Sequence, residues 1–263
     1  MLVRFLLIAG ALLLAGCATL EGGAADPDVA PCAQEDADRF RISGSIDADL
    51  AACVAANWRS DTRVLILDSP GGDVATALDI AERFEGRDLE MRVVGECNSS
   101  CANYFLPLAR RIVVEPGAVV MLHGSVDPAL GARLMADRDD FIRNRLAEGD
   151  TPEEAEAAFD LSVSRIEAMI VRQAAWAERH GVPPGWLLYR EPGSTDVVGI
   201  TGEPDGDVRR GLLVEDAMMR SCLRGVEIEP YRSRFGSGPI NDLRALVVRL
   251  RGFAWSGEMR CEP

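Results

Sequence analysis

The sequence predicts an α/β layered fold, and three observations carry that reading. The run Val64-Leu65-Ile66-Leu67 is apolar on both faces, the pattern of a strand buried between helix layers. Ser69-Pro70-Gly71-Gly72 then leads into a segment where Val74, Ala77, Leu78, Ala81 and Phe84 recur at helical spacing. The same strand, turn and helix order returns at residues 91–109, and such repetition is the mark of layered α/β proteins. With 263 residues, 48% of them apolar, the chain can bury a sizeable core.

In chain order, residues 39–45 alternate as a short strand, and residues 63–68 form the buried strand followed by its helix. Residues 91–95 form the next strand, leading through Cys97 to Cys101 into a helix that ends near residue 109. Residues 111–114 and 118–122 are two further strand-like runs around a Glu-Pro-Gly turn. Beyond His123 the character is helical. Residues 128–146 carry Leu130, Leu134, Phe141 and Leu146 on one face. At Thr151-Pro152-Glu153-Glu154 a capping threonine, a first-turn proline and a glutamate at capping-box spacing start a helix that runs to about residue 180. A proline-bearing loop covers residues 181–206, and residues 209–215 hold a last strand. The domain is expected over residues 39–223, with residues 224–263 as a cysteine-containing C-terminal extension.

Composition excludes several chemistries. The 28 basic residues are all arginine, so a lysine base, a Schiff base and a phosphate-loop lysine are impossible. Imidazole chemistry must use His123 or His180, the two histidines of the chain. A net charge of −14 argues against a nucleic-acid surface, because phosphate binding needs clustered positive charge. No nucleotide-binding glycine fingerprint appears, and neither a cofactor nor a metal is expected.

Residues 1–16 combine Arg4 with an apolar run over residues 5–14, a secretory signal too short for a comfortable membrane span. Leu14-Ala15-Gly16-Cys17 at its end resembles a bacterial lipobox. That resemblance implies cleavage before Cys17 and its lipidation, with several acyl chains giving a stable membrane anchor. Ala18, where an aspartate would retain the protein at the inner membrane, resembles lipoproteins of the outer membrane facing the periplasm. Residues 17–38 are rich in Ala, Gly, Pro, Asp and Glu and read as a flexible tether. Export places Cys32, Cys53, Cys97, Cys101, Cys222 and Cys261 in an oxidising compartment, where thiols pair. Six cysteines allow 15 pairings, and nearest-partner pairing gives Cys32–Cys53, Cys97–Cys101 and Cys222–Cys261. The competing zinc reading of Cys97 and Cys101 lacks a second ligand pair at the right spacing.

Three features between residues 69 and 123 can do chemistry. Gly71 and Gly72 follow a buried strand and precede a helix, so their amides can face an anion; the ordinary alternative is a tight turn. Ser100 starts a helix behind a strand, where a serine is by default a cap. His123 ends a strand, where it can be purely structural.

Taken together in this order, the pieces resemble the ClpP serine-peptidase branch of the ClpP/crotonase superfamily. The resemblance rests on Ile42-Ser43-Gly44-Ser45-Ile46, on Leu67 to Val74 through the Gly-Gly turn, on Ser99-Ser100-Cys101-Ala102-Asn103-Tyr104-Phe105-Leu106, and on Val120-Met121-Leu122-His123. It covers residues 39–125, with the helices to about residue 215 fitting the family's handle region. The implied fold is a spiral of β-β-α units with a C-terminal helical handle, and exported members carry cysteines flanking the serine. The implied chemistry is peptide hydrolysis with Ser100 as nucleophile, His123 as base and the amides of Gly72 (or Gly71) and Cys101 as oxyanion hole. The third member falls near Asp196, with Glu191 and Asp207 as neighbouring alternatives. Substrates would be peptides or unfolded proteins, and the superfamily's habit of assembling through its handle implies a homo-oligomer. A Cys97–Cys101 disulfide would staple the turn that presents Ser100. Competing readings are an inert lipoprotein of the same fold that binds peptides or partner proteins, an acyl-thioester enzyme of the crotonase branch, and a Cys101 thiolate nucleophile.

Overall fold

The computed structural model describes residues 30–122, 124–187, 209–231 and 252–255. A mostly parallel sheet carries the fold. β1 (Cys32–Gln34) runs antiparallel to β2 (Arg39–Ser43), and β2, β3 (Val64–Ser69) and β4 (Glu90–Asn98) are mutually parallel. β4 is long enough to serve two partners. Its first half, residues 90–93, pairs with β5 (Arg111–Val114), and its last residues, 96–98, pair with β6 (Val119–Leu122), both in parallel. The Glu-Pro-Gly turn therefore shifts the chain from one part of β4 to the next instead of folding a hairpin.

β6 continues antiparallel to β7 (Arg209–Leu213), which pairs in parallel with β9 (Gly252–Trp255); β8 (Glu227–Ile228) pairs with β5. Two parts of the sequence are thus more integrated than expected. Cys32–Gln34, within the segment read as a tether, is an edge strand, and residues 227–228 and 252–255 of the C-terminal extension are strands of the same sheet. Local apolar pattern was too short at these places to mark them, and pairing to a longer neighbour supplies the order.

Helices pack on this sheet. α1 (Ala48–Asn57), which its alanine-rich composition hid, starts at Asp47, whose side chain accepts from the amides of Asp49 and Leu50. α2 (Val74–Phe84) buries the stripe foreseen from its spacing and is capped by Asp73, which accepts from the Thr76 amide. α3 (Ser100–Tyr104) is a single turn, followed by a 3-10 turn at Leu106–Leu108, shorter than the helix expected. The core joins these layers through an aromatic chain, Phe40 to Trp58 at 5.3 Å, Trp58 to Phe84 at 4.7 Å and Phe84 to Phe105 at 5.6 Å between ring centroids.

The helical segment after residue 127 is two helices instead of one, α4 (Leu130–Ala136) and α5 (Arg138–Ala147), and neither buries a residue fully. α6 (Pro152–His180) begins with the capping box read from Thr151 and Glu154 and ends at Gly181 in the left-handed conformation. Arg172 of α6 reaches Asp79 at 2.6 Å and Glu82 at 3.0 Å on α2. α7 (Pro184–Leu187) and α8 (Asp216–Cys222) complete the helices described. Among the described residues no helix is long and apolar enough to cross a membrane.

Candidate active site

The site is built where β3 and β4 end side by side. β3 leaves the sheet through Ser69, whose hydroxyl donates to the Gly44 carbonyl at 2.6 Å and accepts from the Gly71 amide at 3.2 Å. Gly71 has φ +90°, and a side chain there would meet the Asn98 carbonyl oxygen at 2.5 Å and the Ser99 Cβ at 2.7 Å. Only glycine lets the two strand ends approach this closely. Gly72 is pressed as tightly on Ile46, which forms an isolated parallel bridge with it.

β4 ends in a sharp turn into α3. Ser99 is the one non-glycine residue with positive φ among the described residues, at φ 54° and ψ −126°. Such a conformation costs about 1–3 kcal/mol and persists only where the surroundings impose it. Two restraints do so: the Ser99 amide donates to the Met121 carbonyl of β6 at 2.8 Å, and a disulfide joins Cys97 at the end of β4 to Cys101 in the first turn of α3. The turn delivers Ser100 to the helix start with its side chain against the diglycine. The Gly72 amide donates to Ser100 Oγ at 2.8 Å, and the hydroxyl donates back to the Gly72 carbonyl at 3.0 Å. Ser100 is 1% exposed, so this exchange takes place out of bulk water. The Cys101 amide, at the same helix start, has no acceptor among the described residues.

Gly71, Gly72, Ser100 and Cys101 are therefore together, as the order of motifs suggested. His123 and Asp196, with the alternatives Glu191 and Asp207, lie outside the described residues, as do Cys17 and Cys261. Cys32–Cys53 and Cys97–Cys101 are both disulfides, and Cys222 is disulfide-bonded as well. With its sulfur committed to Cys97, Cys101 is neither a thiolate nor a zinc ligand in this state. The other histidine, His180, is held 2.9 Å from Glu85 and packs at a tilt against Trp176, 5.0 Å between ring centroids. Burial alone would raise the Glu85 carboxyl, but hydrogen bonds from His180 and Arg179 hold it below the usual carboxylate range.

Two features escaped sequence reading. Glu96 and Asn98 of β4 are 5% and 0% exposed, and the Asn98 amide donates to Glu96 at 2.5 Å. Polar residues are rarely so buried, and it is this burial, which only the structure displays, that singles them out immediately before the Ser99-Ser100 turn. The second is a clamp on the segment after β6. Tyr104, on the helix of Ser100, bonds Ser125 and donates to Gln173 of α6 at 2.6 Å. Gln173 in turn accepts from the Val126 amide at 3.2 Å and donates to the Val126 carbonyl at 3.0 Å.

An open groove of about 470 Å³ lies away from Ser100, between Arg92, Arg111, Glu115 and Tyr231. Its guanidinium groups are already matched by Glu90, Glu115 and Glu229. No family model matches the chain, and no curated protein matches it either.

Proposed function

We propose that this chain is an envelope-anchored serine peptidase of the ClpP type that hydrolyses peptides or unfolded proteins without a cofactor. The observation that carries the reading is Ser100 at a helix start, buried and hydrogen-bonded to the Gly72 amide. Ser100 Oγ attacks the scissile carbonyl while His123 takes its proton, then returns that proton to the leaving amine. The negative charge on the carbonyl oxygen is met by the amides of Gly72 and Cys101, with Gly71 shaping the turn; one such donor is worth about 3–4 kcal/mol in other enzymes. At rest the hydroxyl itself occupies the Gly72 amide, so a bound carbonyl must displace it and turn Oγ toward the base. The ClpP/crotonase spiral, with α4 to α6 as the handle through which copies assemble, completes the reading of the fold. Cys17 carries the lipid and holds the domain on the periplasmic side of the outer membrane, where the two disulfides are at home. Asp196 is the carboxylate expected behind His123.

The self-occupied state of Ser100 favours a second reading, an inert lipoprotein of the same fold that binds peptides or partner proteins. A fluorophosphonate probe separates the two. Labelling of the wild-type chain, lost in Ser100→Ala and His123→Ala, is expected for the peptidase; equal labelling of all three, or of none, refutes it in favour of the binding protein.

A further inference from the structure

We propose that Gln173 is a positioning residue for the Ser100 nucleophile: through Tyr104 it fixes, from α6, the tilt of α3 and with it the placement of Ser100 Oγ on the Gly72 amide. The inference rests on the peptidase reading and concerns what holds its nucleophile in place.

α3 is a single turn, too short to orient itself by its own hydrogen bonds. Its start is tethered by the Cys97–Cys101 disulfide and by the Ser99 amide on the Met121 carbonyl, and about that start the turn can still tilt. Ser100 and Tyr104 are four residues apart, so they lie on one side of the turn, about 6 Å apart along its axis. Over that length a tilt of about 5° moves one end by roughly 0.5 Å, enough to carry the Ser100 Oγ contact with the Gly72 amide, 2.8 Å in the structure, to the edge of hydrogen-bonding range. What holds the Tyr104 end therefore decides where Ser100 stands. That end is held from α6. Tyr104 is fully buried, its hydroxyl donates to Gln173 Oε1 at 2.6 Å, and its ring meets Trp176 edge-on at 5.3 Å. Gln173 is fixed in turn by the backbone of one residue: Oε1 also accepts from the Val126 amide at 3.2 Å, and Nε2 donates to the Val126 carbonyl at 3.0 Å. These two backbone groups settle which way round the side-chain amide lies, so Tyr104 must donate to it. The single phenolic proton is committed there, and Ser125 donates to the Tyr104 oxygen.

Of the four residues that α6 buries, Ala155, Phe159, Gln173 and Trp176, Gln173 alone ends in a group that both accepts and donates. A polar side chain so buried is justified by its hydrogen bonds, and here they run to Tyr104 and Val126. The Trp186 indole, donating to the Ala102 carbonyl at 3.2 Å, braces the middle of the turn and leaves its far end to Tyr104. The effect of Gln173 thus passes through Tyr104 and the turn, and limits where Oγ stands when a carbonyl displaces it from the Gly72 amide.

The test is amide hydrogen exchange of the ¹⁵N-labelled full chain, read by NMR in the wild type, Tyr104→Phe and Gln173→Met. The Gly72 amide, which donates to Ser100 Oγ, is expected to exchange about tenfold faster in both variants, while the Glu90 amide, bonded to the Arg63 carbonyl at the far end of β4, keeps its wild-type rate. A protein that is merely less stable speeds both amides alike, and that result overturns the proposal. Tyr104→Phe keeps the ring against Trp176 and decides alone should Gln173→Met fail to fold. Fluorophosphonate labelling is read in parallel, its maximal rate expected to fall about tenfold at an unchanged half-saturating concentration. Gly72 exchange and labelling both at wild-type values in the folded variants overturn the coupling and leave the peptidase standing. A wild type that does not label, with a Gly72 amide that responds to Gln173→Met, refutes the peptidase and leaves the coupling standing.

Discussion

Substituting Gly72 by alanine tests the geometry on which the site depends. An alanine Cβ at this position would lie 2.3 Å from the Ile46 carbonyl oxygen and 2.8 Å from its nitrogen. Both are backbone atoms, so no side-chain rotation relieves the clash, and Ile46 must retreat by about an ångström to reach ordinary contact. Its retreat breaks two hydrogen bonds, from the Ile46 amide to Gly71 O at 2.9 Å and from the Asp73 amide to Ile46 O at 2.8 Å. At about 1 kcal/mol each these account for roughly 2 kcal/mol. Displacing the buried Ile46 adds about 1–3 kcal/mol of overpacking. The expected loss for Gly72→Ala is therefore about 3–5 kcal/mol.

Gly86→Ala is the control. Gly86 has φ +68° but nothing within 4 Å of the added carbon, which leaves only the conformational penalty of about 1–2 kcal/mol. Urea unfolding of the two variants, followed by tryptophan fluorescence and extrapolated linearly, measures the difference. A Gly72→Ala protein no less stable than Gly86→Ala would refute the close approach of Gly72 to Ile46 and, with it, the placement of the Gly72 amide.

Two further measurements follow from the same structure. The Cys32–Cys53 disulfide spans a sequence separation of 21 and Cys97–Cys101 one of 4, so loop entropy predicts losses of about 3 and about 2 kcal/mol for the respective double alanine variants under oxidising conditions; unchanged unfolding midpoints in both would refute their formation. Glu85 is held below its ordinary pKa of 4.5 by hydrogen bonds from His180 and Arg179, so its ionised form contributes stability above that value and loses it as pH falls through the lower folded-state pKa. Glu85→Gln is accordingly expected to be about 1 kcal/mol or less below the wild type at pH 6, with the gap narrowing as the pH is lowered below 4.5, as read by denaturation at each pH.

Much of the fold was legible because local pattern and tertiary role coincide. The doubly apolar run at Val64 to Leu67 is a central strand, and the stripe from Val74 to Phe84 is the buried face of α2. Thr151 and Glu154 announce α6 through a hydrogen-bond reciprocity that needs no other part of the chain. Cys32–Gln34 and Glu227–Ile228 were not legible, since strands of three and two residues have no period to detect and exist through their partners. α1 was missed because only Leu50 and Val54 of its alanine-rich sequence are buried. At the site, Gly71, Gly72 and Ser100 stood out by motif, whereas Glu96 and Asn98 did not: their meaning lies in burial, which a sequence does not display.

By itself, then, the sequence determined the alternation of strand and helix, the absence of lysine chemistry and the candidate positions Gly71, Gly72 and Ser100. These follow from side-chain identity and short-range periodicity. Tertiary structure alone decided that the Ser100 hydroxyl rests on the Gly72 amide, that β4 divides its edge between β5 and β6, and that Asn98 is buried with its amide donating to Glu96. Each of those depends on atoms brought together from distant parts of the chain, where a few tenths of an ångström between packed backbones settle what a residue can do.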